Sequence, residues 1–193
     1  MGKVIFVISM SLDGYMTAAN QTPGNPMGDG GERLQEWAFG TDATNQRYLA
    51  AAVDGLGAVI AGRRTYDTSL PWWGADGPSG PARRPVFVVT HEAPAGQPEH
   101  GVYHFVTDGL ESALAQAQAV AGDKDVTVMG GADVGRQYLD AGLLDEMEIH
   151  LVPVLLGGGT RMFADLPGGH VQLEPVDVLP TPAATHLRYR IIR

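Results

Sequence analysis

Gly130 and Gly131 stand where backbone groups could bind a phosphate. They follow a short β-branched run at residues 126–129, and a helix-like segment begins directly after them. A strand that ends in glycines at a helix N-terminus exposes backbone N–H groups, and the helix dipole favours the negative charge. A tight turn after a strand is the alternative interpretation of the glycine pair. The residues that we expect to contact the phosphate are Gly130, Gly131, Ala132, Asp133 and Val134.

A second strand-to-helix junction, with a glycine between the predicted strand and the predicted helical turn, follows the apolar run at residues 57–61. It consists of Gly62, Arg63, Arg64 and Thr65. Because a helix N-terminus disfavours cations, two arginines at this point favour a bound anion, which arginine contacts through two parallel hydrogen bonds. An arginine near the adenosine ribose also selects NADP over NAD. Two such junctions in one small domain predict a dinucleotide, with solvated surface arginines as the alternative interpretation.

The composition of the chain limits its partners. The 193 residues fit one domain, residues 1–193, and carry a net charge of −9, which disfavours binding to nucleic acid or to an anionic membrane surface. There is no cysteine, so thiolate catalysis and disulfides are excluded. The six histidines lack metal-ligand spacing, and no apolar run approaches the ~20 residues that span a bilayer. The cytoplasm is the expected location.

Asp13 is the candidate catalytic carboxylate. It follows the apolar run at residues 4–10, together with Ser11, and precedes a long loop at residues 17–31 that is rich in Gly, Pro, Asn and Asp. Ligands of open α/β sheets bind at the carboxyl ends of the strands, so Asp13 could orient a substrate or pass on a proton, although Asp-Gly is also a common turn. The candidates to line the same cleft are Ser11, Trp37, Trp72 and Trp73. A hydrophobic anchor for their loop is the alternative for Trp72 and Trp73.

These residues must be positioned by alternating strands and helices. Apolar runs predict strands at residues 4–10, 57–61, 85–90, 102–106, 126–129, 146–155, 171–179 and 186–192. Helices are expected at residues 41–53, 110–121 and 132–140, with one short turn at 65–69. The pattern predicts a three-layer α/β/α fold, with a mainly parallel central sheet and antiparallel C-terminal strands.

Five short motifs follow one another along the chain. They are Ser11-Leu12-Asp13-Gly14, Gly62-Arg63-x-Thr65, Val88-Val89-Thr90, Met129-Gly130-Gly131 and Pro153-x-Leu155-x-Gly157-x-Gly159-x-x-x-Phe163. Together they resemble the dihydrofolate reductase-like family that includes the C-terminal reductase domain of bifunctional riboflavin-biosynthesis proteins. The resemblance covers nearly the whole chain and implies a dihydrofolate reductase-like fold.

The resemblance also implies NADPH as the cofactor. A cis peptide between Gly130 and Gly131 would lie close to the pyrophosphate, while Asp13 would lie in the substrate cleft near the nicotinamide. A homodimer through the C-terminal strands is implied as well. The residues expected near the 2′-phosphoadenosine are Gly62, Arg63, Arg64 and Thr65, with Thr90 and His91 nearby.

The expected function is an NADPH-dependent reductase that transfers a hydride to a small substrate such as a heterocycle. It would be similar to the 5-amino-6-(5-phosphoribosylamino)uracil reductases of riboflavin biosynthesis. Glu36, Asp42 and Asp54 are the candidates for a folate-type catalytic acid, but their surroundings do not match that pattern, so water is the expected proton source. Two alternatives remain open, a non-catalytic NADPH-binding protein and a dimeric interaction protein on the same fold.

Overall fold

An eight-stranded sheet forms the centre of the part of the chain that the structure describes. The structure, a computed structural model, describes residues 2–164, 166 and 168–192, so both ends of the predicted domain, Met1 and Arg193, lie outside it. The strands of the described chain, in both of its sheets, are β1 (Val4–Ser11), β2 (Tyr15–Thr17), β3 (Leu56–Gly62), β4 (Val86–Val89), β5 (Tyr103–Val106), β6 (Asp125–Met129), β7 (Glu146–Val152), β8 (Thr160–Arg161), β9 (Gln172–Pro180) and β10 (Thr185–Ile192). Its α-helices are α1 (Glu36–Phe39), α2 (Ala43–Gly55), α3 (Arg63–Trp73), α4 (Leu110–Ala121) and α5 (Ala132–Asp140).

The order of the large sheet is β5-β4-β3-β6-β1-β7-β10-β9. Every pair from β5 to β7 is parallel, and β10 runs antiparallel to both β7 and β9. The mainly parallel sheet with antiparallel C-terminal strands is therefore confirmed. Strands β2 and β8 form a separate two-stranded ribbon that the sequence did not predict.

Helices α4 and α5 cover one face of the sheet. Phe6, Ile60 and Val128 of three neighbouring strands are fully buried there against the alanines of α4. Gly135 brings α5 close to the sheet, since a Cβ atom at this position would lie 2.3 Å from the ring of Phe6. Burial of these apolar side chains is the main stabilising contribution of this layer.

The other face is covered at two separate places. Helix α3 packs Tyr66 against β3 and β4, while α1 and α2 pack around Trp37 near the end of β7. Asp42 caps α2, because its carboxylate accepts hydrogen bonds from the backbone N–H groups of Thr44 and Asn45 at 2.9 Å. Between α2 and α3 the central strands form the floor of a cavity.

Helix α3 is longer than the short turn predicted at residues 65–69. It continues through Pro71 to Trp73, where the sequence predicted an irregular loop. Proline removes one N–H donor, which ends most helices. Here the helix stops three residues after Pro71, at Gly74, and Trp73 packs against the apolar cluster around Val59. The packing of the last turn therefore outweighs the tendency of Pro71 to end the helix.

Strand β7 is shorter than predicted. It ends at Val152, before Pro153, whereas the apolar pattern predicted a strand to residue 155. Proline cannot donate a hydrogen bond to a sheet ladder. The segment that follows therefore leaves the sheet, and the backbone N–H groups of Leu156 and Gly157 become available to side chains of another element.

Candidate active site

One large cavity runs from the carboxyl ends of β3, β4 and β6 to the floor between α2 and α3. Its volume is about 1880 Å³. A single small-molecule pocket measures roughly 300–1,000 Å³, so this cavity has room for two ligands side by side. The predicted residues that line it are Gly62, Arg63, Arg64, Thr65, Thr90, His91, Gly130, Gly131, Ala132, Asp133, Val134, Trp37, Trp72 and Trp73.

The two glycine junctions are in direct contact. A Cβ atom on Gly62 would lie 2.7 Å from Cγ2 of Val134, and one on Gly131 would lie 3.1 Å from Oγ1 of Thr65. Gly130 and Gly131 have φ values of 69° and 53°, a conformation that favours glycine. The predicted cis peptide between them is wrong, because the described residues contain no cis bond. Both junctions thus open onto the same end of the cavity.

The first turn of α5 presents backbone donors to this end. Ala132, Asp133 and Val134 form the start of the helix, where N–H groups have no partner within the helix. Such groups suit a phosphate. The side chain of Asp133 is 80% exposed and is bonded by Arg136 at 3.0 Å, so that its charge is partly compensated.

The two arginines at the start of α3 have different surroundings. Arg63 is engaged, since its Nε lies 2.9 Å from the carboxylate of Asp67 and its Nη1 donates to the carbonyl of Glu92. Arg64 donates instead to the neutral amide oxygen of Gln21 at 3.2 Å. Arg64 is therefore the better placed of the two to bind an added anion.

Thr90 and His91 follow β4 at the same end of the cavity. The hydroxyl of Thr90 donates to the carbonyl oxygen of Glu92 at 2.8 Å, and the same oxygen accepts a hydrogen bond from Arg63. The structure thus brings together, from three neighbouring strand ends, the residues predicted to contact the phosphate and the adenosine, and their contact with a nucleotide stays a prediction.

Asp13 and Ser11 do not line this cavity. The Asp13 carboxylate accepts from the hydroxyl of Ser11 at 2.6 Å and from the N–H groups of Leu156 and Gly157 at 3.1 and 2.8 Å. These hydrogen bonds, that of Ser11 above all, lower the pKa of Asp13 to about 2. The Asp13 carboxylate thus binds the loop after β7, which is a structural role. Its catalytic role stays a prediction.

The three tryptophans occupy different places. Trp37 is only 4% exposed and donates from its indole Nε1 to the hydroxyl of Ser9 at 3.0 Å, so it forms a fixed part of the wall. Trp72 is 69% exposed at the end of α3, at the rim, whereas Trp73 turns towards the core. Both tryptophans border the cavity, and Trp73 also has the anchoring contact that was the alternative interpretation.

A buried polar network that the sequence did not predict lies behind Trp37. Nδ1 of His150 lies 2.9 Å from Nδ1 of His186, and Nε2 of His186 lies 2.9 Å from the side-chain oxygen of Asn45. That oxygen requires a proton on Nε2 of His186, so the proton between the histidines belongs to His150. Burial lowers the pKa of both, that of His150 to about 3, which keeps them neutral.

Glu148 and Tyr48 form a second unpredicted pair, directly in the cavity wall. The phenol of Tyr48 donates to the carboxylate of Glu148. Burial is the largest influence on both groups and raises the pKa of each above its ordinary range. A signal exists in the sequence: Glu146, Glu148 and His150 alternate with apolar residues along β7, which places all three on one face.

Sequence comparison now identifies the family. A sequence model of the RibD C-terminal domain matches residues 2–187. The chain belongs to the RibD C-terminal domain family. The riboflavin biosynthesis protein RibD of Corynebacterium ammoniagenes is 28% identical over 171 residues, which cover 83% of this chain and 46% of that protein. The chain thus spans about half the length of this relative.

Solved structures agree on the fold. A putative riboflavin biosynthesis protein from Shewanella sp. PV-4 superposes with a TM-score of 0.73 at 23% identity, over 99% of both chains. A dihydrofolate reductase from Enterococcus faecalis, complexed with NADP(H) and RAB-propyl, gives a TM-score of 0.63 at 16% identity, over 98% of this chain and 96% of that one. The RibD C-terminal domain described here therefore has the predicted dihydrofolate reductase-like fold.

Proposed function

We propose that this RibD C-terminal domain is an NADPH-dependent reductase that transfers a hydride to a small heterocyclic substrate. The observation that carries the proposal is one continuous cavity, which has two phosphate-compatible junctions at one end and a buried polar wall at the other. Its volume of about 1880 Å³ suits a dinucleotide together with a small substrate. The sequence relative of the riboflavin biosynthesis type supports the same class of activity.

The residues of the junction end fit NADPH. The N–H groups of Ala132, Asp133 and Val134 would hold the pyrophosphate, and glycines at 130 and 131 allow close approach of the backbone. The guanidinium of Arg64 would bind the 2′-phosphate, which distinguishes NADPH from NADH. Thr90 and His91 would border the adenosine. The NADP(H) in the Enterococcus dihydrofolate reductase, which shares this fold, is consistent with that role.

The protein would contribute positioning rather than covalent chemistry. The bound cofactor supplies the hydride. The apolar side chains of Val7 and Met129 on the cavity floor would hold a flat ring and keep water from one of its faces. The wall formed by Trp37, Tyr48 and Glu148 would contact the opposite edge of the substrate.

Titration with NADPH and NADH tests the proposal. At a ligand concentration of about 100 times the dissociation constant, binding should stabilise the fold by about 2.7 kcal/mol, which a thermal-shift measurement detects. Binding of NADPH in preference to NADH, followed by its oxidation with a heterocyclic substrate, is the expected result. If neither nucleotide binds, the reductase proposal fails. Tight NADPH binding without oxidation on any substrate would favour the non-catalytic alternative.

A homodimer through the C-terminal strands belongs to the same proposal. Strand β9 is an edge of the sheet and exposes Val176 and Val178, which are 42% and 55% accessible. An exposed apolar edge strand is a site for association. Sedimentation of the protein and of a Val178→Lys variant tests this, with a dimer expected only for the unmodified chain.

The location of the protein stays a prediction. In the part of the chain that the structure describes, no helix is long and apolar enough to cross a membrane. Expression with a fluorescent tag, followed by fractionation, would test the expected cytoplasmic location.

A further inference from the structure

Glu148 lies in a row of side chains that crosses the cavity floor. Met129 is in register with Val7, Val7 with Glu148, and Glu148 with Arg188, and all four line the cavity. Neighbouring strands are separated by about 4.8 Å, so the backbone at Glu148 lies about 10 Å from the strand that ends at the glycine pair. A small ring with a contact on either side spans that distance.

The hydrogen bond to Glu148 comes from a neutral donor. The phenol of Tyr48 on α2 keeps its proton, because burial raises its pKa, and it donates to the carboxylate. Arg188 is held by the neighbouring Glu146, whose Oε2 lies 2.5 Å from its Nε. Burial raises the pKa of Glu148, and because Tyr48 is neutral and Arg188 is paired with Glu146, these two residues oppose that rise only in part.

The charged and titratable groups around Glu148 come from five elements. They are Tyr48 of α2, Asp125 of β6, Glu146 and His150 of β7, Asp177 of β9 and Arg188 of β10. His150 is neutral, and Glu146 is paired with both Arg188 and Lys3, which leaves one positive charge on this cluster. The two carboxylates at positions 125 and 177 exceed that charge, so this end of the cavity is acidic, which favours a basic substrate group.

The other carboxylates considered from sequence are either engaged elsewhere or exposed. Asp13 faces the loop after β7 with a lowered pKa, and Asp42 caps α2. Glu36 at the start of α1 and Asp54 near the end of α2 are exposed. Of these and Glu148, only Glu148 is a carboxyl group that is largely buried and borders the space next to the cofactor end.

We propose that Glu148 is the acid that protonates the nitrogen of a substrate C=N bond as the hydride is transferred, and that Tyr48 is the positioning residue of Glu148. This inference rests on the proposed reductase function. An imine nitrogen is far more basic than a carbonyl oxygen, so it matches the proton affinity of a carboxylic acid better. The acidic surroundings favour the same choice.

The step is balanced. The carbon of the C=N bond accepts a hydride from the reduced nicotinamide, and the π electrons of that bond become available on nitrogen. The nitrogen forms its new N–H bond as the O–H bond of Glu148 breaks. The products are an amine, the oxidised nicotinamide and the Glu148 carboxylate, which takes up a proton from solvent before the next cycle.

Glu148→Gln tests the assignment, with Glu174→Gln as the matched control. Glu174 is an exposed carboxylate of the same sheet, paired with Arg190 and outside the cavity. With 3,4-dihydroisoquinoline as the imine, we expect kcat of Glu148→Gln to fall by at least about 100-fold. The affinity for NADPH should not change. Glu174→Gln should behave as the unmodified protein in both measurements.

Infrared spectroscopy of the ligand-free protein gives a readout that does not depend on activity. A carboxylic acid C=O band should persist to a pH above the ordinary glutamate range, disappear in Glu148→Gln and remain in Glu174→Gln. In the unmodified protein kcat should decrease as that band is lost. Tyr48→Phe removes a hydrogen bond that lowers the pKa of Glu148. The loss of the infrared band and the decrease in kcat should therefore both occur at higher pH in this variant.

The outcomes separate the two proposals. Unchanged kcat in Glu148→Gln, or the absence of its carboxylic acid band, overturns the assignment of Glu148 and leaves the reductase proposal intact. Bound NADPH that reduces no cyclic imine overturns the substrate class. Failure of the unmodified protein to bind NADPH overturns the reductase proposal, and this inference with it.

Discussion

Thr65 and Gly130 lie so close together that no side chain fits between them. A Cβ atom on Gly130 would lie 2.5 Å from Cγ2 of Thr65, and Gly130 has a φ of 69°. This contact joins the start of α3 to the end of β6, and both are candidate phosphate sites. The position of one site therefore depends on the other, and a change at Gly130 should affect the whole cofactor end of the cavity.

Gly130→Ala should destabilise the fold and weaken NADPH binding together. The alanine would adopt a strained conformation and also collide with Thr65, with a combined cost of about 1–3 kcal/mol or more. Urea unfolding and NADPH titration measure the two effects. Gly142→Ala is the control, because Gly142 has a φ of 66° but a Cβ atom added there would meet no atom within 4 Å. Equal losses in both variants would show that strain alone is responsible.

Arg64→Ala should reduce the preference for NADPH more than Arg63→Ala does. Arg64 is bonded to a neutral amide, whereas Arg63 is held by Asp67. Hydrogen bonds to a charged group contribute about 1.5–3 kcal/mol, so we expect about 10–100-fold weaker NADPH binding in Arg64→Ala. NADH binding should change little. Calorimetric titration of both variants with both nucleotides decides the point, and a larger effect at Arg63 would reverse the assignment.

Asp13→Asn should affect stability in acid more than it affects hydride transfer. The folded-state pKa of about 2 lies below the ordinary value of 3.8, so the stability that Asp13 provides is complete above about pH 4 and is lost as the pH falls towards 2. The variant should be less stable at neutral pH, and its difference from the unmodified protein should shrink in acid. Unfolding curves over this range test the effect. A loss of turnover without a loss of stability would instead support the predicted catalytic role.

The sequence predicted the two glycine junctions because each is a local pattern. A β-branched run, a glycine and a helix start are contained within a few residues at both Gly62 and Gly130. The sheet order then brings β3 and β6 side by side, which places the junctions in contact. The strand-to-helix junctions could therefore be predicted residue by residue, whereas their binding of a nucleotide stays a prediction.

The pair formed by Tyr48 and Glu148 could not be predicted in the same way. The two residues are 100 positions apart and meet only because α2 packs over β7. Asp13 shows the reverse case: its position at a strand end suggested catalysis, but distant N–H groups of the loop after β7 occupy its carboxylate. Local pattern thus located the backbone sites, while tertiary packing decided which carboxyl group faces the cavity.

The buried pair of histidines should make the fold sensitive to mild acid. The folded-state pKa of His150 is about 3 and its ordinary value is 6.5, so protons bind preferentially to the unfolded chain. Stability that depends on neutral His150 is fully present above 6.5 and is lost progressively as the pH falls towards 3. Between neutral pH and about pH 5 the loss should reach roughly 2 kcal/mol.

His150→Gln should remove most of this pH dependence, because glutamine does not titrate and can still donate to His186. His170→Gln is the control, since His170 is exposed in a loop. Urea unfolding at neutral pH and at about pH 5 compares the three proteins in a range above the ordinary pKa of most carboxyl groups. The control should lose as much stability as the unmodified protein. An equally steep loss in His150→Gln would assign the acid sensitivity to another group, with His186, whose pKa is also lowered by burial, as the next to be tested.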